Sequence, residues 1–191
     1  MKKCLVLFLL ISVSVGYAQS NNKLGFNFGY HSGMGTIGFT YHVIEQFALR
    51  PSFTFNITKQ EDGSEYYTRE LRSTNYGGSL SLLITATSTE EFRIYWGGSL
   101  AYTFLKEKWS DAYFYPNEQP LSENGNDKGH VTTSGLLIGF QYDVSEKFSL
   151  FGEMGIGYSS TDYPASWRGS KNIYNRFGLN NSGIGFIFYI N

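Results

Sequence analysis

The sequence predicts an all-β protein, an eight-stranded antiparallel up-and-down barrel that crosses a membrane. Apolar and polar residues alternate with period two from Leu24 to the C-terminus, and no long helical stripe interrupts them. The predicted connections alternate between short and long, and the polar face of each strand carries few charges. Only 16 % of the 191 residues are charged, against about 25 % in an ordinary soluble domain. The length suits a single domain.

The first 18 residues have the features of a secretory signal peptide. Lys2 and Lys3 precede a twelve-residue apolar stretch at 4–15, too short for a membrane-spanning helix, and Ala18 completes a small-residue cleavage site before Gln19. The barrel domain is therefore expected at 19–191. Loss of Lys2 and Lys3 takes the net charge from −1 to about −3, which predicts no nucleic-acid partner. The mature chain has no cysteine, so disulfide chemistry is excluded.

Eight segments show the strand alternation, each with its large apolar residues on one face. Their first apolar residues are Leu24, Ile37, Phe47, Leu80, Phe92, Leu136, Phe148 and Ile184. Pro51 lies inside the third segment, where the missing N–H predicts a bulge or a later strand start.

The connections between these segments differ in length on the two sides of the predicted barrel. Short turns are expected at 44–46, 88–91 and 145–147, and long polar loops at 59–72, 106–129 and 161–173. The first connection, 32–35, is short but lies on the side of the long ones. Most charged residues fall in the long loops. The asymmetry is typical of outer-membrane barrels, and it predicts extracellular long loops and periplasmic termini.

The polar face of the strands decides whether the apolar face meets a core or lipid. It consists mainly of Gly, Ser, Thr, Ala and Asn, whereas a solvated face would carry many charges. Arg50, Arg93, Asp143 and Glu153 are the charged residues within the predicted strands. We expect them inside a narrow lumen as a paired network, with Arg93 in ion-pair reach of Asp143 or Glu153, because isolated charges there would be costly. Such a network could neutralise the lumen or gate a narrow pore.

With these features together, the chain resembles the small outer-membrane barrels of the OmpX/OmpA type and the PorT-like outer-membrane barrel group. The resemblance covers Leu24 to Asn191 and rests on strand pattern and loop asymmetry. One departure is the C-terminus, which ends in Asn191 rather than an aromatic residue. The resemblance implies an outer-membrane monomer surrounded by lipid, delivered by periplasmic chaperones and the barrel assembly machinery, and it implies a possible role as a secretion accessory.

The predicted long loops are rich in aromatic residues set among mixed charges. This composition is typical of recognition surfaces, although the rings could also extend an aromatic girdle. The candidate recognition residues are Tyr66, Tyr67, Trp109, Tyr113, Phe114, Tyr115, Tyr163 and Trp167. No spacing typical of a metal or cofactor site is present, so neither is expected.

Surface recognition or a structural role is the leading functional prediction, and three alternatives stay open. The lumen could conduct as a narrow pore. The chain could be a lipid-modifying enzyme using His31, His42 or His130 with Ser32 or Ser134, although no nucleophile–base–carboxylate unit can be assembled from the sequence and no enzyme activity is expected. It could also be a soluble periplasmic barrel that binds an apolar ligand.

Overall fold

The computed structural model describes residues 23–64, 66–89, 91–114, 121–163, 172–179 and 182–190. These residues form nine antiparallel strands. The strands are β1 (Leu24–His31), β2 (Met34–Ile44), β3 (Phe47–Ser64), β4 (Tyr67–Ser88), β5 (Phe92–Tyr113), β6 (Leu121–Ser145), β7 (Phe148–Tyr163), β8 (Asn172–Leu179) and β9 (Gly183–Ile190). The predicted signal peptide lies outside the described residues. None of the described residues forms a helix long and apolar enough to cross a bilayer.

The strands close into a ring. Consecutive strands pair from β1 to β7, and β9 pairs with both β1 and β7. The predicted eight-stranded antiparallel ring is confirmed, and the ninth strand arises because β8 and β9 lie end to end along β7. β9 pairs with its first part, as in Phe148↔Phe188, and β8 with its second part, as in Ile156↔Leu179. Together they fill the eighth place in the ring.

The wall of the barrel is much taller on one side than on the other. β1 and β2 have 8 and 11 residues, whereas β4, β5 and β6 have 22, 22 and 25. The prediction of long loops at 59–72 and 106–129 is wrong for most of these residues, since they continue the strands with unbroken antiparallel pairing. We call the four strand parts that rise beyond the short β1–β2 hairpin the extension. They are residues 56–64, 67–75, 105–113 and 121–129.

Below the extension, the alternation sorts side chains between an outer and an inner face as the sequence predicts. Large apolar side chains cover the outside, among them Leu136 at 64 % exposure and Ile184 at 69 %. The buried inner face includes Asn27, Thr40 and Gln141. A barrel that is apolar outside and polar inside is the reverse of a soluble core.

Pro51 leaves the strand register unchanged. It lies opposite Leu80 within the continuous β3–β4 ladder. The pairing between β2 and β3 has the same register on the two sides of Pro51, at Gly38↔Ser52 and at Tyr41↔Leu49. The residues between these two pairs are not paired across the strands. The irregularity in this strand pair lies elsewhere, between His42 and Ile44, so neither the bulge nor the late strand start predicted at Pro51 is found.

Candidate functional site

Two of the charged residues predicted for the interior, Arg50 and Glu153, form the centre of the upper lumen. Arg50 Nη1 donates to Glu153 Oε1, and both side chains are only 4 % exposed. Tyr95 Oη donates to the same carboxylate oxygen at 2.7 Å, and His31 Nε2 lies 3.0 Å from the other. Arg50 Nε also donates to Thr40 Oγ1 at 3.2 Å. Both oxygens of the buried carboxylate therefore have partners, as a charge in a confined space requires.

Glycines on the neighbouring strands let these partners reach Glu153. Glu153 is paired with Gly139 on β6 and with Gly183 on β9. A Cβ on Gly139 would lie 2.6 Å from the Tyr95 ring, and one on Gly183 would overlap the His31 ring. The two rings thus occupy the space that side chains on β6 and β9 would fill. We call Arg50, Glu153, Tyr95 and His31 the upper cluster.

Arg93 and Asp143 form a second ion pair nearer the short turns. Arg93 Nη2 donates to Asp143 Oδ2 at 2.9 Å, and the side chains are 18 % and 16 % exposed. Asp143 Oδ1 accepts hydrogen bonds from Gln141 Nε2 at 2.7 Å and from Ser149 Oγ at 2.5 Å. Arg93 therefore pairs with one of the two carboxylates expected for it. We call this group, with Tyr189 described next, the lower cluster.

Tyr189 extends the lower cluster across the barrel. Its hydroxyl accepts from Gln141 Nε2 at 3.0 Å and lies 3.1 Å from His42 Nε2. Between the two clusters lies a cavity of about 10 Å³, lined in part by Arg50, Arg93 and Gln141. That volume holds one water molecule at most. Side chains and their hydrogen bonds thus fill this part of the lumen.

The inner face of the extension carries aromatic rings. Tyr67 on β4 shares this face with Trp109 and Tyr113 on β5. All three continue the inward-facing alternate positions of their strands, and the two strands are paired along this whole region. The Tyr67 and Tyr113 ring centroids are 5.1 Å apart. Tyr163 on β7 lies 6.4 Å from Tyr174 on β8, centroid to centroid. Four residues predicted for loops (Tyr67, Trp109, Tyr113 and Tyr163) therefore lie in strands, and they share the inner face.

Trp109 lies flat over a glycine beside a cavity. Its Cα partner on β6 is Gly125, where a Cβ would overlap the indole ring. The adjoining cavity has a volume of about 420 Å³ and is lined by Trp109, Glu123, Asn124, Gly125, Asn126 and Asp127. An indole face beside carboxylate and amide groups can stack on a ring and accept or donate hydrogen bonds around it. We call this the Trp109 cavity.

Carboxylates surround the aromatic rings of the inner face. Glu107 is paired with Asp127 across β5 and β6, and Asp111 with Glu123. The pKa of Tyr163 is raised above its usual value of 10.0 by burial and by the negative charges of Glu107 and Asp127. Arg69 on β4 is the basic residue nearest to Asp111, with Nε 3.7 Å from Oδ1. The inner face of the extension is thus aromatic and acidic.

The remaining predicted recognition residues lie at the top of the molecule or outside its described part. Tyr66 and Phe114 are exposed, and the Phe114 N–H donates to the Tyr66 carbonyl at 2.9 Å. Tyr115 and Trp167 lie outside the described residues.

The structure separates Ser134 from two of the histidines considered for an enzyme. Ser134 is on the outer face of β6, whereas His31 and His42 point into the lumen. His130 stacks on Tyr102 with centroids 5.3 Å apart. Across the described ranges, no three His, Asp or Glu side chains are arranged to hold a metal ion.

Sequence reasoning missed several residues of both regions. Tyr95, Gln141 and Tyr189 complete the lumen clusters, and Glu107 and Asp127 flank Tyr163. The available signal was the position of Gly139, because a glycine on an inner face leaves room that a ring on the adjacent strand can fill.

No protein-family model matches the chain, and no curated protein matches it in sequence. Solved structures of similar architecture exist. CarO2 of Acinetobacter baumannii matches with a TM-score of 0.47 at 10 % identity, over 88 % of this chain and 98 % of that chain. A major outer membrane protein of Thermus thermophilus matches with a TM-score of 0.47 at 11 % identity, over 90 % of this chain and 100 % of that chain. Ail, the attachment invasion locus protein of Yersinia pestis, matches with a TM-score of 0.41 at 13 % identity, over 88 % of this chain and 95 % of that chain.

Proposed function

We propose that this chain is an integral outer-membrane barrel with a sealed lumen, which presents the inner face of its extension as a recognition surface outside the cell. The observation that carries this proposal is the contrast between the filled lumen and the open, aromatic extension above it.

The outward apolar belt supports a membrane-spanning position. Soluble monomers rarely expose contiguous apolar patches of more than a few hundred Å². Here large apolar side chains with exposures of roughly 40–70 % surround the whole ring, from Phe26 at 39 % to Ile184 at 69 %. The closed pairing from β1 round to β9 satisfies the backbone within the ring, as the hydrocarbon core requires. The predicted signal peptide supports export, and barrels of this type belong to the outer membrane.

The lumen clusters support a role other than conduction. A water path would have to pass the Arg50–Glu153 pair and the hydrogen-bonded group around Asp143. Both are packed around a cavity of about 10 Å³. We therefore assign Arg50, Arg93, Asp143 and Glu153 a structural role as a neutral plug.

The extension supports recognition. Its inner face combines aromatic rings, carboxylates and a cavity of about 420 Å³ beside Trp109, features that recur in binding surfaces. The secretion-accessory role implied by the family resemblance would use the same surface and stays a prediction. An enzyme activity is not part of this proposal.

Surface labelling tests the orientation. The mature chain has no cysteine, so Asn124→Cys in the extension and Ser145→Cys beside a short turn give matched single-cysteine variants on one strand. In intact cells, a membrane-impermeant maleimide should label position 124 and leave position 145 unlabelled until the outer membrane is permeabilised. Labelling of position 145 alone would reverse the proposed orientation.

Ligand capture tests the recognition surface. Cells displaying the protein are applied to an array of oligosaccharides and peptides, and each retained ligand is tested again with Trp109→Ala. The matched control is Ser110→Ala, whose side chain is on the opposite face of the same strand. We expect Trp109→Ala alone to lose the ligand. Capture that is equal in both variants, or no capture by the wild type, would contradict the assignment of this face.

A further inference from the structure

The outer face of the extension carries a cluster of basic side chains immediately beyond the apolar belt. On β5 the outer positions change from Tyr102 and Phe104 to Lys106 and Lys108. The neighbouring strands contribute Lys128 from β6 and Arg72 from β4. All four basic side chains are exposed. We call Arg72, Lys106, Lys108 and Lys128 the basic patch.

Like charges are directly opposite each other in this patch. Lys106 is the Cα partner of Lys128, and Arg72 is the Cα partner of Lys108. Directly opposed side chains in an antiparallel sheet have Cβ atoms about 5 Å apart, so like charges there repel and destabilise the sheet. Consecutive outer positions on one strand are about 7 Å apart. The four cations therefore fit within an area that one or two anionic groups could bridge.

The positive charge of the basic patch is not neutralised by an ion pair with any carboxylate of the described residues. The nearest basic neighbour on the outer face, Lys59, pairs with Glu61 and, at 3.3 Å, with Glu70. The remaining outer carboxylate close by, Asp162, lies opposite His130. Among the described residues, none of the four patch side chains has a carboxylate oxygen within 4.0 Å. The acidic residues of the extension on β5 and β6, such as Glu107 and Asp127, point to the other face of the sheet.

We infer that the basic patch binds the phosphate groups of a phosphorylated glycolipid in the outer leaflet. The inference rests on the proposed outer-membrane position. In that position the last outer apolar side chains of β4 and β5, Tyr76 and Phe104, reach the end of the hydrocarbon layer, and the patch lies at the depth of the lipid headgroups. Phosphate oxygens accept charge-assisted hydrogen bonds from lysine and arginine and would relieve the repulsion between the opposed pairs.

Lipid titration in a detergent with an uncharged headgroup tests this inference. Binding of diphosphorylated lipid A and of lipid A without phosphates is measured by native mass spectrometry. Lys106→Gln/Lys128→Gln is compared with Lys23→Gln/Lys147→Gln, which makes the same change in net charge at the opposite rim. The patch variant should bind the diphosphorylated lipid about thirtyfold more weakly, since each surface cation contributes about a factor of five. The control variant should bind like the wild type, and lipid without phosphates should bind weakly to all three.

Thermal stability gives a second readout, because the patch substitution should have opposite effects on stability without lipid and with lipid. Without lipid, the patch variant should be at least as stable as the wild type, because a like-charge pair has been removed. With diphosphorylated lipid, the wild type should gain more stability than the variant. Equal loss in both variants, equal binding of the two lipids, or saturation of the patch by inorganic phosphate at the same concentration would overturn the inference. Heat-modifiable gel mobility shows separately that each variant still forms the barrel, so failure here is distinct from failure of the membrane assignment.

Discussion

The lumen and the inner face of the extension are both formed by inward-facing positions of one continuous sheet, yet they differ in how their polar groups are used. In the lumen, Glu153 binds three side chains and Asp143 is held by Arg93, Gln141 and Ser149. In the extension, carboxylates surround aromatic rings beside an open cavity. A residue's position along the strand, rather than the face to which its side chain points, therefore separates the residues that stabilise this barrel from those available for binding.

Removing one partner of the buried pair should have the largest effect. Arg50→Leu leaves the Glu153 carboxylate without its ion-pair partner, and we expect a loss of about 3 to 5 kcal/mol in the free energy of unfolding. The measurement is urea unfolding in detergent. Arg50→Leu/Glu153→Leu should be less destabilised than the single variant, because no uncompensated charge remains.

The matched comparison for this prediction is the Arg93–Asp143 pair of the lower cluster, which is less deeply buried. Arg93→Leu should cost clearly less than Arg50→Leu, since water can reach Asp143. Equal losses at the two sites would show that burial does not distinguish the two clusters.

Filling the glycine positions beside Glu153 should have the next largest effect. Gly139→Ala and Gly183→Ala place a methyl group against the Tyr95 and His31 rings, and each should cost about 1 to 3 kcal/mol. Gly178→Ala is the control, because an added Cβ there meets no atom within 4 Å. Unfolding curves of the three variants, measured under the same conditions, decide the point. A control as destabilised as the other two would mean that alanine itself, rather than the rings, is the cause.

Changes in the extension should affect stability least. Trp109→Ala removes a ring on an open cavity, and we expect a loss of about 1 kcal/mol or less in the same unfolding assay. A loss as large as that of Arg50→Leu would make the extension part of the stabilising core and would remove the contrast with the lumen.

The pH dependence of Tyr163, which lies on β7 beside the extension, tests the electrostatics of this region. Burial and the charges of Glu107 and Asp127 favour the neutral form of Tyr163, so its pKa should lie above 10.0. Because the folded-state pKa is raised, this group's contribution to stability is present below the pKa of the unfolded chain and is lost as the pH rises from there through the folded-state pKa. NMR of tyrosine labelled with ¹³C at Cζ, assigned with Tyr163→Phe, measures the titration. Glu107→Gln should move the pKa downward, and an unchanged value would remove Glu107 as a cause.

The sequence predicts the strand faces well, because a two-residue period and a choice of lipid-facing side determine where each side chain points. It also places Arg93 beside a carboxylate. It fails at the extension, where residues such as 106–109 alternate between lysine and acidic or aromatic side chains, and hydrophobicity gives no strand signal. β8 was missed for a similar reason, since Asn175 and Arg176 interrupt its apolar residues. The His31–Glu153 contact spans 122 positions, and only the paired strands show that Gly183 leaves room for it.

Accessibility along β5 tests the central claim most directly, because this strand runs from the short turns through the belt into the extension. Single cysteines at 100, 101, 103, 104, 106 and 108 carry nitroxide labels in bilayers, and collision with oxygen and with a water-soluble nickel chelate is measured. We expect high oxygen and low nickel accessibility at 100 and 104, low accessibility to both at 101 and 103, and high nickel accessibility at 106 and 108. High nickel accessibility at 100 and 104 would place the apolar face in water and rule out the membrane-spanning barrel.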